Sequence, residues 1–202
     1  EQTFGVTGAV HGAGFLGSSG ALFGGRVADV SDDASSLLTA QHVTLVSVSG
    51  GDVNNIDSAF SFNVVTGIRD GDDVGGEGRS IQGSLRQFID NANAITGSNA
   101  MRFAPAVTGN STNGVGEWWT ITLTSNLAAL TDSGTTIDGT AFDYLDGTTI
   151  IDSNGGAVNS ARTVGVDDLV FDATERPELE IFANGNSLGL VLDADDLTVR
   201  DL

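Results

Sequence analysis

The chain has 202 residues, of which 40% are hydrophobic and 28 are Gly, and its formal net charge is −19. All 8 basic residues are Arg; because phosphate binding needs clustered positive charge, we expect neither nucleic acid nor an anionic membrane as a partner. Cys is absent, which excludes disulfides and thiolate metal sites. The sequence contains no apolar stretch of about 18 residues, so it predicts no membrane-spanning helix.

Residues 1–25 form a neutral, Gly-rich segment in an otherwise acidic chain. No charged residue lies between Glu1 and Arg26. Charge keeps acidic proteins apart, so a segment that drops its charge and keeps large apolar residues is expected to contact a partner. Its glycines disfavour a helix and predict extended or irregular structure. The candidate interface residues are Val6, Val10, Phe15, Leu16, Leu22 and Phe23.

Residues 26–66 are predicted to form a small β unit. Residues 42–49, which begin at His42, alternate apolar and polar side chains, and this pattern indicates a half-buried strand. Gly50 and Gly51 predict a turn, and residues 56–66, rich in Phe and Val, predict a second strand. His42 and His11 are far apart in the sequence and the chain has no Cys, so the two His residues give little indication of a metal site.

The loop 70–77 is the candidate metal site. Asp70, Asp72, Asp73 and Glu77 place carboxylates in a Gly-rich loop, and Ca²⁺ takes about six to eight oxygen ligands from flexible acidic loops. The spacing lacks the alternate ligands and the distal Glu of an EF-hand. A solvated acidic turn is the alternative, and the same two interpretations apply to Asp193, Asp195 and Asp196.

Residues 84–93 predict a short amphipathic helix. Ser84 and Gln87 form a capping box, in which the Ser84 hydroxyl accepts a hydrogen bond from the Gln87 backbone N–H. The apolar stripe at helical spacing consists of Leu85, Phe88, Ile89 and Ala92. The other face carries Arg86, Asp90, Asn91 and Asn93. One short helix in a β chain is expected to cover an open end of a sheet.

Short strand signals separated by Gly, Asn and Asp follow the helix. They span residues 118–124, 135–139, 148–152, 178–182, 188–192 and 197–200. β-Branched residues recur before Asp or Asn and Gly, a pattern typical of stacked rungs around a narrow core. Trp118 and Trp119 are neighbours in a strand and therefore face opposite sides. We expect one in the core and the other exposed, where it would stack on a sugar or a partner.

A family resemblance rests on five segments. They are Gly-Ser-Leu-Arg-Gln-Phe-Ile-Asp-Asn-Ala-Asn (83–93), Met-Arg-Phe (101–103), Trp-Trp-Thr-Ile (118–121), Thr-Ile-Asp-Gly-Thr (136–140) and Pro-Glu-Leu-Glu-Ile (177–181). In this order they resemble the start of a right-handed parallel β-helix, a pectate-lyase-like solenoid found in large secreted bacterial and archaeal surface proteins. The resemblance covers residues from about 60 to 202. It implies a helix that caps the first rung, further rungs after 197–202, and a cell-surface setting rather than a reaction.

The expected organisation is therefore mostly β. A Gly-rich extended segment (1–25) that would supply an inter-subunit strand precedes a small β unit (26–66) and the start of a β-helix (67–202) with its capping helix. We expect a non-enzymatic extracellular protein: a filament or surface-layer subunit assembling head to tail with identical subunits, or an adhesin fragment. Ca²⁺ is the one cofactor considered.

The alternative is a carbohydrate-binding or polysaccharide-cleaving β-helix protein that acts on cell-surface glycans. Such sites use paired carboxylates with Arg or Lys on one rung face, and the candidates are Asp138, Asp152, Asp167 and Arg162. In Ile-Asp-Gly, however, Asp commonly hydrogen-bonds its own backbone in a turn, and this interpretation is favoured.

Overall fold

The structure, a computed structural model, describes residues 2–5, 9–11, 22–23, 42–44, 48–54, 58–60, 62–71, 83–144 and 147–202. The strands of this part of the chain are β1 (Gln2–Gly5), β2 (Ala9–His11), β3 (Leu22–Phe23), β4 (His42–Thr44), β5 (Ser58–Phe60), β6 (Val64–Val65), β7 (Arg102–Phe103), β8 (Ser111–Thr112), β9 (Glu117–Thr122), β10 (Thr136–Asp138), β11 (Arg162–Val164), β12 (Leu169–Phe171), β13 (Leu179–Phe182) and β14 (Thr198–Arg200). The helix α1 spans Leu85–Ala94. The prediction of a mostly β chain with one short helix is confirmed for the described residues.

Strands β1 to β5 form two small antiparallel sheets. β1 lies between β3 and β5, and β2 pairs with β4. Strands from residues 1–25 thus pair with strands from residues 26–66, and the two predicted units share both sheets.

The strands that follow pair mainly in parallel. β6 pairs with β7, β9 with β13, and β10 with β14. Single parallel bridges join Ala100 to Thr136, Phe103 to Ala141, and Leu130 to Leu192. Each parallel pair requires a long crossover between its strands, and these crossovers carry α1 and most of the turns.

Helix α1 begins where the capping box predicts. Ser84 has extended dihedral angles, and its hydroxyl accepts a hydrogen bond from Gln87 N–H at 3.1 Å while donating to the Gly71 carbonyl. The predicted stripe is buried, with Leu85, Phe88, Ile89 and Ala92 all at most 1% exposed. The Phe88 ring stacks on Phe62 at 6.5 Å between centroids. The apolar face of α1 therefore closes the core beside β6.

Side chains on the polar face of α1 form hydrogen bonds to the loop that follows β9, residues 124–131. Asp70 accepts hydrogen bonds from Arg86 Nε and Nη2, at 2.7 and 2.8 Å, and Arg86 also donates to the carbonyl groups of Ser125 and Asn126. Further along, the Asn93 side chain accepts from Thr131 N–H at 2.8 Å. Polar side chains of the face opposite the apolar stripe thus link α1 to residues 124–131.

The core is concentrated between Val64 and Ala141. Trp119 points into it and is 6% exposed, its ring packed edge-on against Phe103 at 5.8 Å, whereas Trp118 lies on the opposite face and is half-buried. The indole N–H of Trp119 donates to the Val107 carbonyl at 2.8 Å, which satisfies its polar atom inside the core. The strand alternation predicted for the two Trp residues is confirmed.

Two predicted strands are reduced to single bridges. In residues 148–152 a bridge forms at Ile150, and in residues 188–192 one forms at Leu192. In the second segment, side-chain hydrogen bonds take the place of a regular strand ladder. Leu188 N–H donates to the Asn126 Oδ1, and the Asn186 side-chain amide donates to the Leu123 carbonyl. α1 is the sole helix in the described ranges, and it is too short and too polar to cross a bilayer.

Candidate interaction surface

Strands β13 and β14 are each paired on one side within the described part of the chain. The Glu178 and Phe182 carbonyl groups accept hydrogen bonds from the strand-β9 side, at 2.9 Å each. In a parallel ladder, alternate residues direct their backbone groups to opposite sides, so the N–H and C=O groups of Leu179 and Ile181 point away from β9. By the same geometry Val199, between the bonded Thr198 and Arg200, points away from β10.

The apolar side chains around these free edges are uncovered. Of the apolar residues in 150–202, Leu179 alone is buried. Phe182, Leu192 and Val199 are 50%, 50% and 37% exposed. Core-facing side chains of the same region are half-buried, and these are Ile151, Ile181, Leu190 and Leu197. We call β13, β14, Leu192 and these four half-buried residues the open face.

An ion pair fastens β14 to the strand beneath it. Arg200 Nη2 and Nε donate to the Asp138 Oδ2 at 2.5 and 2.9 Å, and Thr140 N–H donates to Oδ1 at 3.0 Å. Burial would raise the pKa of Asp138, but the hydrogen bonds from Arg200 and Thr140 outweigh it and the pKa lies below its ordinary value. The hydrogen bond to Thr140 two residues on is the turn predicted for Ile-Asp-Gly.

A groove runs beside the open face in two adjoining depressions of about 500 and 570 Å³ that share Val158, Arg176, Pro177 and Leu202. Trp118 lines the larger one, and its indole N–H donates to the Glu180 Oε2 at 2.9 Å. The smaller one is lined by Asp152, Glu175 and Glu178, among others. In Glu178 both carboxylate oxygens are engaged, by Asn154 N–H at 2.7 Å and the Ser153 hydroxyl at 2.6 Å.

The carboxylates proposed for catalysis occupy three different places. Asp138 is held by Arg200, Asp152 lines the groove, and Asp167 lies in the exposed turn between β11 and β12. Arg162 is exposed in β11. The structure pairs none of these three Asp residues with Arg162.

Of the predicted calcium ligands, Asp70 alone lies in the described residues; Asp72, Asp73 and Glu77 lie outside them. The Asp70 side chain is 1% exposed, and besides Arg86 it accepts hydrogen bonds from the Thr124 N–H and hydroxyl at 2.6 and 2.8 Å. Burial would raise the pKa of Asp70, but the hydrogen bonds from Arg86 and Thr124 bring it below its ordinary value. Within the described ranges no cluster of three or more His, Asp or Glu is arranged for a metal. The calcium site stays a prediction.

The predicted interface residues fall partly inside the described chain. Val10 lies in β2, opposite Val43, and Leu22 and Phe23 form β3 beside β1. Val6, Phe15 and Leu16 lie outside the described residues.

The surfaces that sequence reasoning missed lie in residues 150–202. The antiparallel pair β11–β12 was not predicted, although Gly165, Asp167 and Asp168 separate two β-branched runs there. Comparison of the chain with protein-family models, with curated proteins and with solved structures finds no match.

Proposed function

We propose that the chain is a right-handed parallel β-solenoid with a structural, non-catalytic role at an extracellular surface, where its open face contacts an identical subunit. The proposal is supported chiefly by the contrast between the two ends of the strand stack. At one end α1 covers β6, whose Val65 is fully buried, and at the other end the open face leaves Phe182, Leu192 and Val199 exposed.

The parallel pairings support the solenoid interpretation. Successive passages of the chain return to the same three positions: Ala100, Thr136 and Thr198 align in one column, Trp119 and Leu179 in a second, and Leu130 and Leu192 in a third. Parallel crossovers in one sheet are right-handed in nearly all proteins.

An identical subunit is the partner we favour. An exposed apolar patch with free strand edges marks an interaction site, since both features are costly in water. The described strands of residues 1–25 pair within their own chain, so donating them to a neighbour would require breaking those pairs. The open face can receive a neighbour without any such exchange.

Sedimentation equilibrium of the wild type and of a Leu192→Asp variant tests this function. We expect the wild type to associate, and the charge placed in the apolar contact to weaken association roughly tenfold or more. Val115→Asp is the matched control, because Val115 is 89% exposed in the turn between β8 and β9, away from the open face. A wild type that stays monomeric at about 100 µM would overturn the proposal.

A second candidate function is glycan binding in the groove. The Trp118 ring is held in place by Glu180 and lies near Asn113 and Arg176, so the groove combines an aromatic platform with hydrogen-bonding groups. Titration with acidic polysaccharides would show binding that Trp118→Ala removes. Cleavage of such a polymer, lost in Asp152→Ala without unfolding, would establish an enzyme; absence of binding and of turnover would remove this candidate.

A further inference from the structure

The sequence contains three Asn-Gly pairs, at residues 113–114, 154–155 and 184–185, and the structure describes all of them. In such a pair the backbone nitrogen of Gly can attack the side-chain amide of Asn, because Gly has no Cβ atom to obstruct the approach. The attack requires a free Asn side chain, a free Gly N–H and room for the backbone to move. The three pairs differ in all of these respects.

The first pair lies at the tip of the β8–β9 hairpin and is exposed, but hydrogen bonds hold both of its residues. The Asn113 Oδ1 accepts from the N–H groups of Val115 and Gly116, at 2.9 Å each. Gly114 N–H, the group that would attack, donates to the Thr112 hydroxyl at 3.0 Å. The side chain and the attacking nitrogen are therefore both occupied.

The second pair is held by burial. Asn154 is 6% exposed, its backbone N–H donates to the Glu178 Oε1 at 2.7 Å, and its side-chain amide donates to the Pro177 carbonyl at 2.8 Å. Its Oδ1 lies against Gly116, where an added Cβ atom would be 2.9 Å from it. The Asn154 side chain therefore cannot turn toward Gly155 unless the surrounding residues open first.

The third pair forms the centre of an exposed turn just after β13. The turn is closed by Asn186 N–H, which donates to the Ala183 carbonyl at 2.9 Å. The φ angles of Asn184 and Gly185 are 50° and 82°, as in a two-residue type I′ turn. Among the described residues neither the Asn184 side chain nor Gly185 N–H has a hydrogen-bond partner. Of the three pairs, this one combines exposure with a free amide and a free attacking nitrogen.

The exposure of this turn follows from its place at a corner of the strand stack. The preceding pass of the chain turns at residues 124–126, and Leu188 N–H donates to the Asn126 Oδ1 from the later pass. From the other side, Arg86 of α1 donates to the carbonyl groups of residues 125 and 126. Residues 124–126 are nevertheless exposed. Turns at this corner therefore face outward even where the chain lies on both sides of them.

We propose that Asn184 is a site of spontaneous self-modification by deamidation. The Gly185 nitrogen attacks the Asn184 Cγ, and the new C–N bond closes a succinimide ring. The side-chain nitrogen leaves as ammonia and takes the proton of Gly185 N–H. Water then opens the ring at either carbonyl, which produces aspartate or isoaspartate. Either product adds a negative charge to a chain whose net charge is already −19, and isoaspartate also lengthens the backbone of the turn by one carbon atom.

Peptide mapping by mass spectrometry of the purified full chain, aged at mildly alkaline pH, tests this proposal. In the folded chain we expect Asn184 to convert at least about tenfold faster than Asn113 and Asn154, whose release requires local opening of the structure. In the chain unfolded in urea the three pairs should convert at rates within about threefold of one another, because the same dipeptide is then free at each position. Isoaspartate at position 184 would identify the succinimide as the intermediate.

Asn184→Asp is the matched variant, because Asp tolerates a positive φ angle as Asn does. On ion exchange it should elute with the acidic form that accumulates in the aged wild type, and its own elution should not change on ageing. Conversion of Asn113 or Asn154 as fast as that of Asn184 in the folded chain would overturn the proposal. So would an Asn184 that stays intact in the folded chain while the unfolded chain converts.

Discussion

At the scale of single residues, two largely buried carboxylates accept hydrogen bonds that link one secondary-structure element to another. Asp70 joins α1 to the loop after β9, through Arg86 and Thr124. Asp138 joins β10 to β14 through Arg200. Sequence reasoning offered Asp70 as a candidate calcium ligand or part of a solvated turn, and Asp138 as a turn residue with catalysis as the alternative. A sequence shows the residue type without the donor that faces it.

Asp70→Asn should lower the free energy of unfolding by about 3 kcal/mol, the lower end of what the loss of one partner of a buried ion pair costs. The substitution removes one charge from a buried pair and leaves the Arg86 guanidinium without its counterion. Urea denaturation measures the difference, with Asp52→Asn, at an exposed position, as the control. Equal stability of Asp70→Asn and the wild type would show that the Asp70–Arg86 ion pair contributes nothing to the free energy of unfolding.

The Asp138–Arg200 pair should make stability depend on pH. The pKa of Asp138 is lowered in the folded chain, so its contribution is fully present above the unfolded-state pKa and is lost as pH falls through the folded-state pKa. The wild type should therefore be more stable than Asp138→Asn at pH 7, and the difference should shrink below about pH 4. Unfolding curves at several pH values measure this; a difference that grows on acidification would contradict it.

At the scale of elements, the bounds and the buried face of α1 could be predicted from the sequence, whereas its contacts with the rest of the chain could not. A capping box and an apolar stripe are local, so Ser84, Gln87 and the four buried positions could be assigned from spacing alone. The contacts of Arg86 and Asn93 depend on residues about forty positions away, which no local pattern encodes. The antiparallel pair β11–β12 was missed because exposed strands lack the alternation of apolar and polar residues that burial imposes.

Gly139 is a sharp test of how β14 packs. A Cβ atom at this position would lie 1.9 Å from the Asp201 carbonyl oxygen, which is backbone and cannot rotate away. Gly139→Ala should therefore displace β14 and speed amide hydrogen exchange of Thr198–Arg200 roughly tenfold or more. Gly155→Ala is the control, because its nearest neighbour would be a side-chain oxygen at 3.6 Å. Unchanged exchange in Gly139→Ala would contradict this packing.

At the scale of the whole molecule, the described strands differ in how far their apolar residues are covered. Val65 and Phe88 are buried beside α1, whereas Phe182 and Leu192, near β13 and β14, are exposed. The sequence predicted the sealing helix and most of the strands that form the stack. It could not predict which apolar residues stay uncovered, because Ile151 and Ile181 have the same residue type as the buried Ile137.

Hydrogen exchange measured by mass spectrometry at low and high protein concentration tests the association of the open face most directly. We expect Leu179–Phe182 and Thr198–Arg200 to exchange more slowly at high concentration, because their free backbone groups become paired or covered. Leu85–Ala94 should exchange at the same rate at both concentrations, since the apolar face of α1 is already buried within its own chain. Exchange that is independent of concentration, or protection confined to α1, would contradict the account.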